Sequence, residues 1–322
     1  MTELSLRWST NLRNKCLICK SEKLEKLFFG YSRFNPQLFH RLAICQKCGH
    51  IQQYPIFDEK TYKKINSRFF GNEYMATGRK SHIQNLSDSE SYTFLTHNEK
   101  KLKRVDGRLT PFLKAGLNVL DVGAGHAWTL EYFQKHGCNY HAIEEVDQLA
   151  DSIKERGGDI IGKSIFDDYS SDQSKFDVIF YREVLEHMLD PKKALMILRG
   201  LLNDDGFIYL EVPDAEKPSI HKGFRSNYIR PVHVSYFCKT NLFWLANSVG
   251  LDVIEEESSS KFHKSGMIFC KLKKGEKKIS TPQNVYKFQK KIFLESARKA
   301  LKIDFKNIVK DIPKVLIRKF IR

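Results

Sequence analysis

Apolar and polar positions follow two different rhythms along this chain. Between residues 117 and 272, short apolar runs recur at 117–121, 139–143, 159–161, 176–181, 207–212, 251–256 and 267–272. Their length and their content of β-branched and aromatic residues fit buried strands. Stretches with helical spacing lie between them, near 127–136, 146–156, 191–202 and 239–248. This alternation predicts an α/β fold with a seven-stranded, doubly wound sheet. The last two runs follow each other with no helix between, which predicts an antiparallel hairpin at the sheet edge, the last strand being antiparallel. Upstream, 89–113 sets Phe94, Leu95, Leu102, Val105, Leu109 and Leu113 at mostly helical spacing, with Pro111 ending or kinking the helix. Residues 23–44 alternate like a small hairpin. Past 283, Phe293, Ala297, Leu301, Phe305, Ile308, Ile312, Val315 and Phe320 recur at helical spacing opposite Lys and Arg, with a kink at Pro313. These changes divide the chain into a module at 1–60, a linking and helical lid segment at 61–110, a core at 111–275 and a basic helical tail at 276–322.

The core is organised around 118–128, NVLDVGAGHAW. A strand ends at Asp121, Gly123 and Gly125 follow, and a helix begins. Glycines at such a turn let the backbone bend sharply and let a ligand approach, while the helix start offers free N–H groups. A second run ends in Glu144, about 20 residues on, where a nucleotide-binding fold places an acid on ribose hydroxyls. The turn reads D-x-G-x-G-x-A, with Ala127 where a third glycine would stand. An acid at its opening makes a pyrophosphate a poor guest. Ligands of open α/β sheets lie beyond the carboxyl ends of the strands. That rule nominates 121–126, Glu144, 162–168, 181–187 (with Arg182 counted among the cofactor residues) and the loop after Val212.

The D-V-G-A-G turn, Glu144 and FDVIFYREVLEHMLDP at 176–191 together resemble class I S-adenosylmethionine-dependent methyltransferases over about residues 105–275. The alternative is another Rossmann-like nucleotide binder. The resemblance implies S-adenosylmethionine as cofactor. It implies that Asp121, Gly123 and Gly125 line its methionine part, that Glu144 holds its ribose, and that Ser164 or Asp167 lies near its adenine. Trp128 reads as core or cleft wall. Glu186 and His187 would lie close to the methyl group, or His187 would cap or bridge its loop. The stretch at 233–237, HVSYF, resembles the E-H-x-S-Y-F of sugar C-methyltransferases, in which the His is a candidate base. Here Val232 takes the place of that Glu, so the acid partner is absent from the sequence. His233 and His187 are the candidate bases, with Tyr236 assisting orientation.

Cys16-x-x-Cys19 and Cys45-x-x-Cys48 stand about 25 residues apart, a spacing that suits four thiolates around a structural zinc ion. Four sulfurs leave no open coordination position. His50 is a spare ligand or, as the favoured expectation, exposed beside the second knuckle. Such a module ahead of a methyltransferase core again resembles sugar C-methyltransferases, whose acceptors are nucleotide-linked deoxy-keto sugars. In such enzymes the stretch from Tyr54 to Gly78 links module and core. Tyr62, Tyr74 and His82 are then candidates to face substrate or, more blandly, to pack module on core.

The chain carries seven cysteines and a net charge of +16. CxxC pairs point to a reducing, cytoplasmic setting. There is no apolar run of membrane-spanning length and no signal-peptide core at the start. From 271 onward stand 17 Lys/Arg against 4 Asp/Glu, a net of +13, so the body is nearly balanced. A basic amphipathic tail reads as contact with a membrane surface, an acidic partner or nucleic acid, or as a helix packed on its own core or another subunit. The favoured expectation is methylation of a small molecule, a sugar or nucleotide-linked sugar of glycan assembly, with peripheral membrane contact. An RNA or protein methyltransferase, with nucleic acid as the less favoured partner, comes second; a non-catalytic scaffold comes third.

Overall fold

The computed structural model describes residues 15–31, 39–68, 102–103, 105–169, 175–218, 232–259, 266–278 and 280–311. Strands β1 (Leu24–Tyr31), β2 (Phe39–Cys45) and β3 (Ile51–Gln53) form an antiparallel sheet next to the two cysteine knuckles. The hairpin read at 23–44 is therefore present. Helix α1 (Glu59–Arg68) leads away from it. The expected helix at 89–113 is seen at 102–103 and 105–109. It ends in a 3-10 turn, Thr110–Phe112, with Pro111 inside. Residues 89–101 lie outside the described chain, as do Tyr74, His82 and 312–322.

The core follows in chain order as β4 (Asn118–Val122), α2 (Leu130–Lys135), β5 (Asn139–Ile143), α3 (Asp147–Glu155), β6 (Asp159–Gly162), β7 (Phe176–Arg182), α4 (Pro191–Leu201) and β8 (Leu202–Pro213). A two-residue strand, β9 (Ser235–Tyr236), precedes α5 (Lys239–Ser248), β10 (Leu251–Ser259), β11 (Met267–Lys274) and the long α6 (Val285–Asp311). The large sheet runs β10-β11-β8-β7-β4-β5-β6. β11 pairs antiparallel with both β10 and β8. The hairpin expected at the sheet edge is present: β10 is one edge strand of the sheet and β11 lies between it and β8. Insertion gives β11 two partners for its backbone donors and acceptors, where an edge position would give one.

Alternate residues of each strand serve opposite faces. Val119, Val178, Phe180, Tyr209 and Phe269 meet Val105, Leu109, Leu130 and Phe133 on one face. Leu120, Ile179, Leu210 and Ile268 meet Leu195 and Leu198 of α4 and Leu242 and Leu245 of α5 on the other. Each such side chain contributes about 1.5–3 kcal/mol by leaving water. α4 begins where the sequence dictates: Pro191 holds the first helical position, and the Asp190 side chain accepts from Lys193 N at 3.1 Å.

β9 does not join this large sheet. It pairs antiparallel with β3, Ser235 opposite Gln52 and Tyr236 opposite Ile51, and becomes the fourth strand of the N-terminal sheet. α6 covers that sheet. Phe293 and Ala297 pack with Leu42, Ile44, Ile51 and Tyr236, and Glu25 of β1 accepts from Tyr286 and pairs with Lys290. Gly49 is required at this junction: its φ is +71°, and a Cβ there would lie 2.6 Å from Val285 Cγ1 and 2.8 Å from Val285 C. The first turns of the tail are therefore packed on the protein's own body.

Candidate active site

The strand-end rule places one half of the site at the turn after β4. Gly123 and Gly125 both have left-handed backbones (φ +68° and +59°), and Ala127 does as well (φ +41°). These conformations delay the helix to Leu130, later than the apolar pattern indicates. Glu144, at the end of β5, reaches into the same turn. One carboxylate oxygen accepts from Gly125 N at 2.7 Å, the other from Val146 N at 2.9 Å. Burial raises its pKa while these two donors oppose the rise. Asp121 is buried behind the turn. Its Oδ2 accepts from the Tyr140 hydroxyl at 2.7 Å and from Thr129 Oγ1 at 2.8 Å. Desolvation pushes its pKa up to about 6, against the pull of those hydrogen bonds and of Arg182.

At the end of β6 Asp167 folds its loop on itself, accepting from Lys163 N and Ser164 N at 2.9 Å each. Ser164 O accepts from the Tyr169 hydroxyl at 2.6 Å. Both residues thus shape the loop, and next to them the ring of Phe166 is 38% exposed. Sequence patterning alone does not single out Phe166. Its signal is an aromatic residue inside a nominated strand-end loop, with an apolar face that suits a flat base.

At the end of β7, Arg182 donates from Nη1 to Glu183 at 3.0 Å and from Nε to Glu211 at 3.3 Å. Its guanidinium lies 5.4 Å from the Trp128 ring, and Trp128 also meets Phe180 edge-on as a cleft-wall residue. Glu183 takes a left-handed backbone (φ +55°), and Val184 then presses on the Gly turn, where a Cβ on Gly123 would lie 2.8 Å from Val184 Cγ2.

The second half of the site starts at the following 3-10 turn, Leu185–His187. Glu186, His187 and His233 each bring one ligand atom to a common space, all within 4.8 Å of one another. The His187 and His233 rings are 4.9 Å apart at 75°, and Tyr236 lies 6.2 Å from His233. Nδ1 of His187 is 2.8 Å from the Val232 carbonyl, which can only accept, so Nδ1 carries a proton and Nε2 faces Glu186, 4.0 Å away. The three sequence candidates, His187, His233 and Tyr236, therefore do meet. No acid stands at position 232, but the Glu186 carboxylate, 2% exposed, lies within 4.8 Å of both imidazoles. Val232 packs with Leu17, Ile56, Phe57, Tyr62 and Ile65, where a carboxylate would be stranded in an apolar cluster. Sequence reading nominates Glu186 only by its place next to His187.

Backbone contacts fix this cluster. Val234 N donates to Glu186 O at 3.0 Å, and Gln53 N donates to Val234 O at 3.0 Å. The buried Tyr62 hydroxyl lies 2.7 Å from His187 O and 2.6 Å from Val232 O, so it braces the two segments. His50, expected to be exposed, is fully buried. Its Nε2 lies 3.3 Å from Ser235 Oγ and its ring 5.2 Å from Phe237. Burial pushes its pKa down to about 4, which keeps it neutral. The expectation failed because β9 covers this side of the knuckle.

Cys16, Cys19, Cys45 and Cys48 converge, each offering a sulfur within 4.8 Å of the others. Cys16 Sγ is 3.6 Å from Cys48 Sγ, and Cys19 Sγ is 3.5 Å from Cys45 Sγ. A tetrahedral zinc with bonds of about 2.3 Å places its sulfurs roughly 3.8 Å apart, so the cluster fits that ion closely. Three of the four cysteines are buried. Four thiolates so close together repel unless a cation sits among them.

The profile of the methyltransferase domain family matches residues 94–256. The ubiquinone biosynthesis O-methyltransferase of Actinobacillus pleuropneumoniae serotype 7 (strain AP76) is 32% identical over 104 residues, 29% of this chain and 44% of that protein. The chain therefore matches less than half the length of that curated relative. A crystal structure of Burkholderia thailandensis 1,6-didemethyltoxoflavin-N1-methyltransferase, with 1,6-didemethyltoxoflavin and S-adenosylhomocysteine bound, superposes with a TM-score of 0.52. It has 17% identity and covers 77% of this chain and 99% of its own. Magnesium protoporphyrin IX methyltransferase from Synechocystis PCC 6803, with S-adenosylhomocysteine bound, gives 0.49, with 13% identity, 66% of this chain and 99% of that one.

Proposed function

The chain belongs to the methyltransferase-domain family, and from that membership we propose that it methylates a small molecule using S-adenosylmethionine, the acceptor being a sugar or nucleotide-linked sugar of glycan biosynthesis. The observation that carries this reading is the cluster of Glu186, His187 and His233 beside the Gly turn. It is a place where an acceptor can lose a proton. The cofactor supplies a methyl group on a positively charged sulfur, open to in-line displacement. The Gly turn and Phe166 suit its body: open backbone for the methionine part and an exposed ring for the base.

A hydroxyl, or a carbon next to a ketone, is a poor nucleophile until a base takes its proton. His233 is that base, and the nearby Glu186 carboxylate stabilises the imidazolium it becomes. His187, with its proton fixed on Nδ1, presents Nε2 to the same space and orients the acceptor, with Tyr236 on the far side of His233. The acceptor oxygen or carbon gains the methyl, the carbon–sulfur bond breaks, and its electron pair stays on sulfur. Asp121 and Glu144 belong to binding. The reaction discharges the sulfonium, so acids held against it would favour the ground state. The zinc is structural, and Cys16, Cys19, Cys45 and Cys48 hold it.

The sugar assignment is supported by the zinc module and the HVSYF stretch, which resemble those of sugar C-methyltransferases. The test is transfer of labelled methyl from S-adenosylmethionine to a panel of nucleotide-linked deoxy-keto sugars, their hydroxyl analogues, RNA and peptides. Label on sugars alone is expected. Label on RNA or peptide alone would replace the reading by polymer methylation. Lys287, Lys291, Arg298, Lys299 and Lys302 of α6 are exposed, together with Phe288, Leu294 and Leu301. That mixture suits an anionic membrane surface. Vesicles containing phosphatidylserine, but not neutral ones, are expected to retain the protein.

A further inference from the structure

The Glu186, His187 and His233 cluster has a capacity besides base chemistry. Among the described residues, two groups of side chains bring three or more metal-ligand atoms within 4.8 Å of one another: the four cysteines and this cluster. The donor sets differ. Here two imidazole nitrogens and one carboxylate oxygen converge, a set that suits a borderline divalent ion such as zinc. Three protein ligands, unlike four thiolates, leave a coordination position open.

Three features prepare the cluster for an ion. A histidine ligates through one nitrogen when the other donates to a fixed acceptor. His187 has that arrangement: Nδ1 is held at 2.8 Å from Val232 O, and Nε2 turns to Glu186 Oε1, 4.0 Å away. The backbones that carry the ligands are also tied together before any ion arrives. Val234 N donates to Glu186 O at 3.0 Å, and the Tyr62 hydroxyl lies against both His187 O and Val232 O. Finally, Glu186 and His233 are buried. A carboxylate withdrawn from water calls for a cation beside it. Neighbouring ligands on an ion with bonds of about 2.1 Å stand about 3.0–3.4 Å apart, so the Nε2–Oε1 pair has less than about 1 Å to close.

We propose that Glu186, His187 and His233 form a second metal site, which takes Zn2+ or a similar divalent ion and switches methyl transfer off. The lone pair with which His233 accepts a proton is the one that would bind the ion. The carboxylate that stabilises the imidazolium is the ion's third ligand. Occupancy and base catalysis therefore exclude each other. The effect on transfer rests on the reading of His233 as the base; the site itself rests on the donor geometry.

The test is a Co2+ titration of the zinc-loaded protein, followed by visible absorption, after a weak chelator has stripped loosely held metal. One further equivalent is expected, with the bands of nitrogen and oxygen ligation and without the thiolate charge-transfer absorption of a cysteine site. In His233→Ala, and separately in Glu186→Gln, that equivalent should weaken by at least about 10- to 100-fold, the loss usual even for a hydrogen-bond partner of a ligand. If one variant fails to fold, the other decides. Zn2+ added to the same wild-type protein should lower methyl transfer about 10²- to 10⁴-fold, as loss of a base would, and leave S-adenosylhomocysteine affinity unchanged. The weak chelator should restore transfer. No further equivalent, one bound through thiolate, or one that the folded variants keep would overturn the proposal. So would transfer that is unchanged or faster in the loaded protein. If the unloaded protein methylates no acceptor, the small-molecule reading fails, and the metal site still stands or falls by the absorption titration.

Discussion

The two halves of the site are built by opposite strategies. The cofactor half comes from a compact stretch: β4, its Gly turn, and Glu144 reaching back about one βα unit to clamp Gly125. The acceptor half is assembled from segments far apart in the chain. His187 comes from the end of β7, His233 from a segment before α5, Tyr62 from α1, and β3 of the zinc sheet completes the set by pairing with Ser235 and Tyr236. The first half is held mainly by backbone geometry within one βα unit and its neighbour. The second is tied to the four-cysteine module, which reaches the Glu186, His187 and His233 cluster through β9.

Removing the metal is the strongest way to separate the halves. Cys48→Ser, or chelation, should release zinc, unfold the four-stranded sheet and lower the Tm of that part by at least about 10 °C, since structural zinc supplies several kcal/mol of folding free energy. Methyl transfer should vanish while S-adenosylhomocysteine still binds. Equal loss of cofactor binding would show that the halves are one cooperative unit. His233→Ala acts within the acceptor half alone: kcat should drop about 10²- to 10⁴-fold with cofactor affinity intact. Glu186→Gln should give a smaller drop in the same direction.

Two changes probe the cofactor half. Asp121 has a folded pKa of about 6, raised above that of an unfolded carboxylate, so the folded state holds its proton over the interval between. Stability from this group is full below about pH 4 and is lost as pH rises through 6, a loss of about 3 kcal/mol. Asp121→Asn should flatten the urea-unfolding free energy across that window in the absence of cofactor. A slope equal to the wild type's would assign the dependence to other carboxylates. Gly123→Ala places a Cβ 2.8 Å from Val184 Cγ2 on a left-handed backbone. It should cost about 1–2 kcal/mol, read as a fall in the urea midpoint, and should loosen cofactor binding more than it slows turnover.

The same division explains what was legible in the sequence. The seven strands lie where the apolar runs put them, because each run is bounded by polar residues or turns. β8 starts earlier than 207: Leu202 pairs with Phe176, and the register then jumps to Phe207 opposite Val178. Asn203, Asp204 and Asp205 mask that pairing in the hydropathy pattern. The Gly turn and Glu144 are visible because their spacing is short and their residue types are nearly forced. β9 is not visible, since two residues have no periodicity. Neither is the burial of His50, which depends on Ser235, 185 positions away. The carboxylate near His233 cannot be found by looking beside it in sequence, because Val232 packs in an apolar cluster while Glu186 comes from another segment.

The fourth strand of the zinc sheet has a consequence for the order in which the protein is made. Synthesis delivers the cysteine knuckles before the strand that pairs with β3, which is some 180 residues behind, and Val285, which seats on Gly49, leaves the ribosome later still. A module that emerges before the core is therefore finished only after it. Until then, on the zinc reading, ligation of the four cysteines would be what holds its hairpin, with Ile44 and Ile51 open to water and to other chains. On the zinc reading, lack of the metal would leave an unfinished nascent product, before any question of catalysis arises.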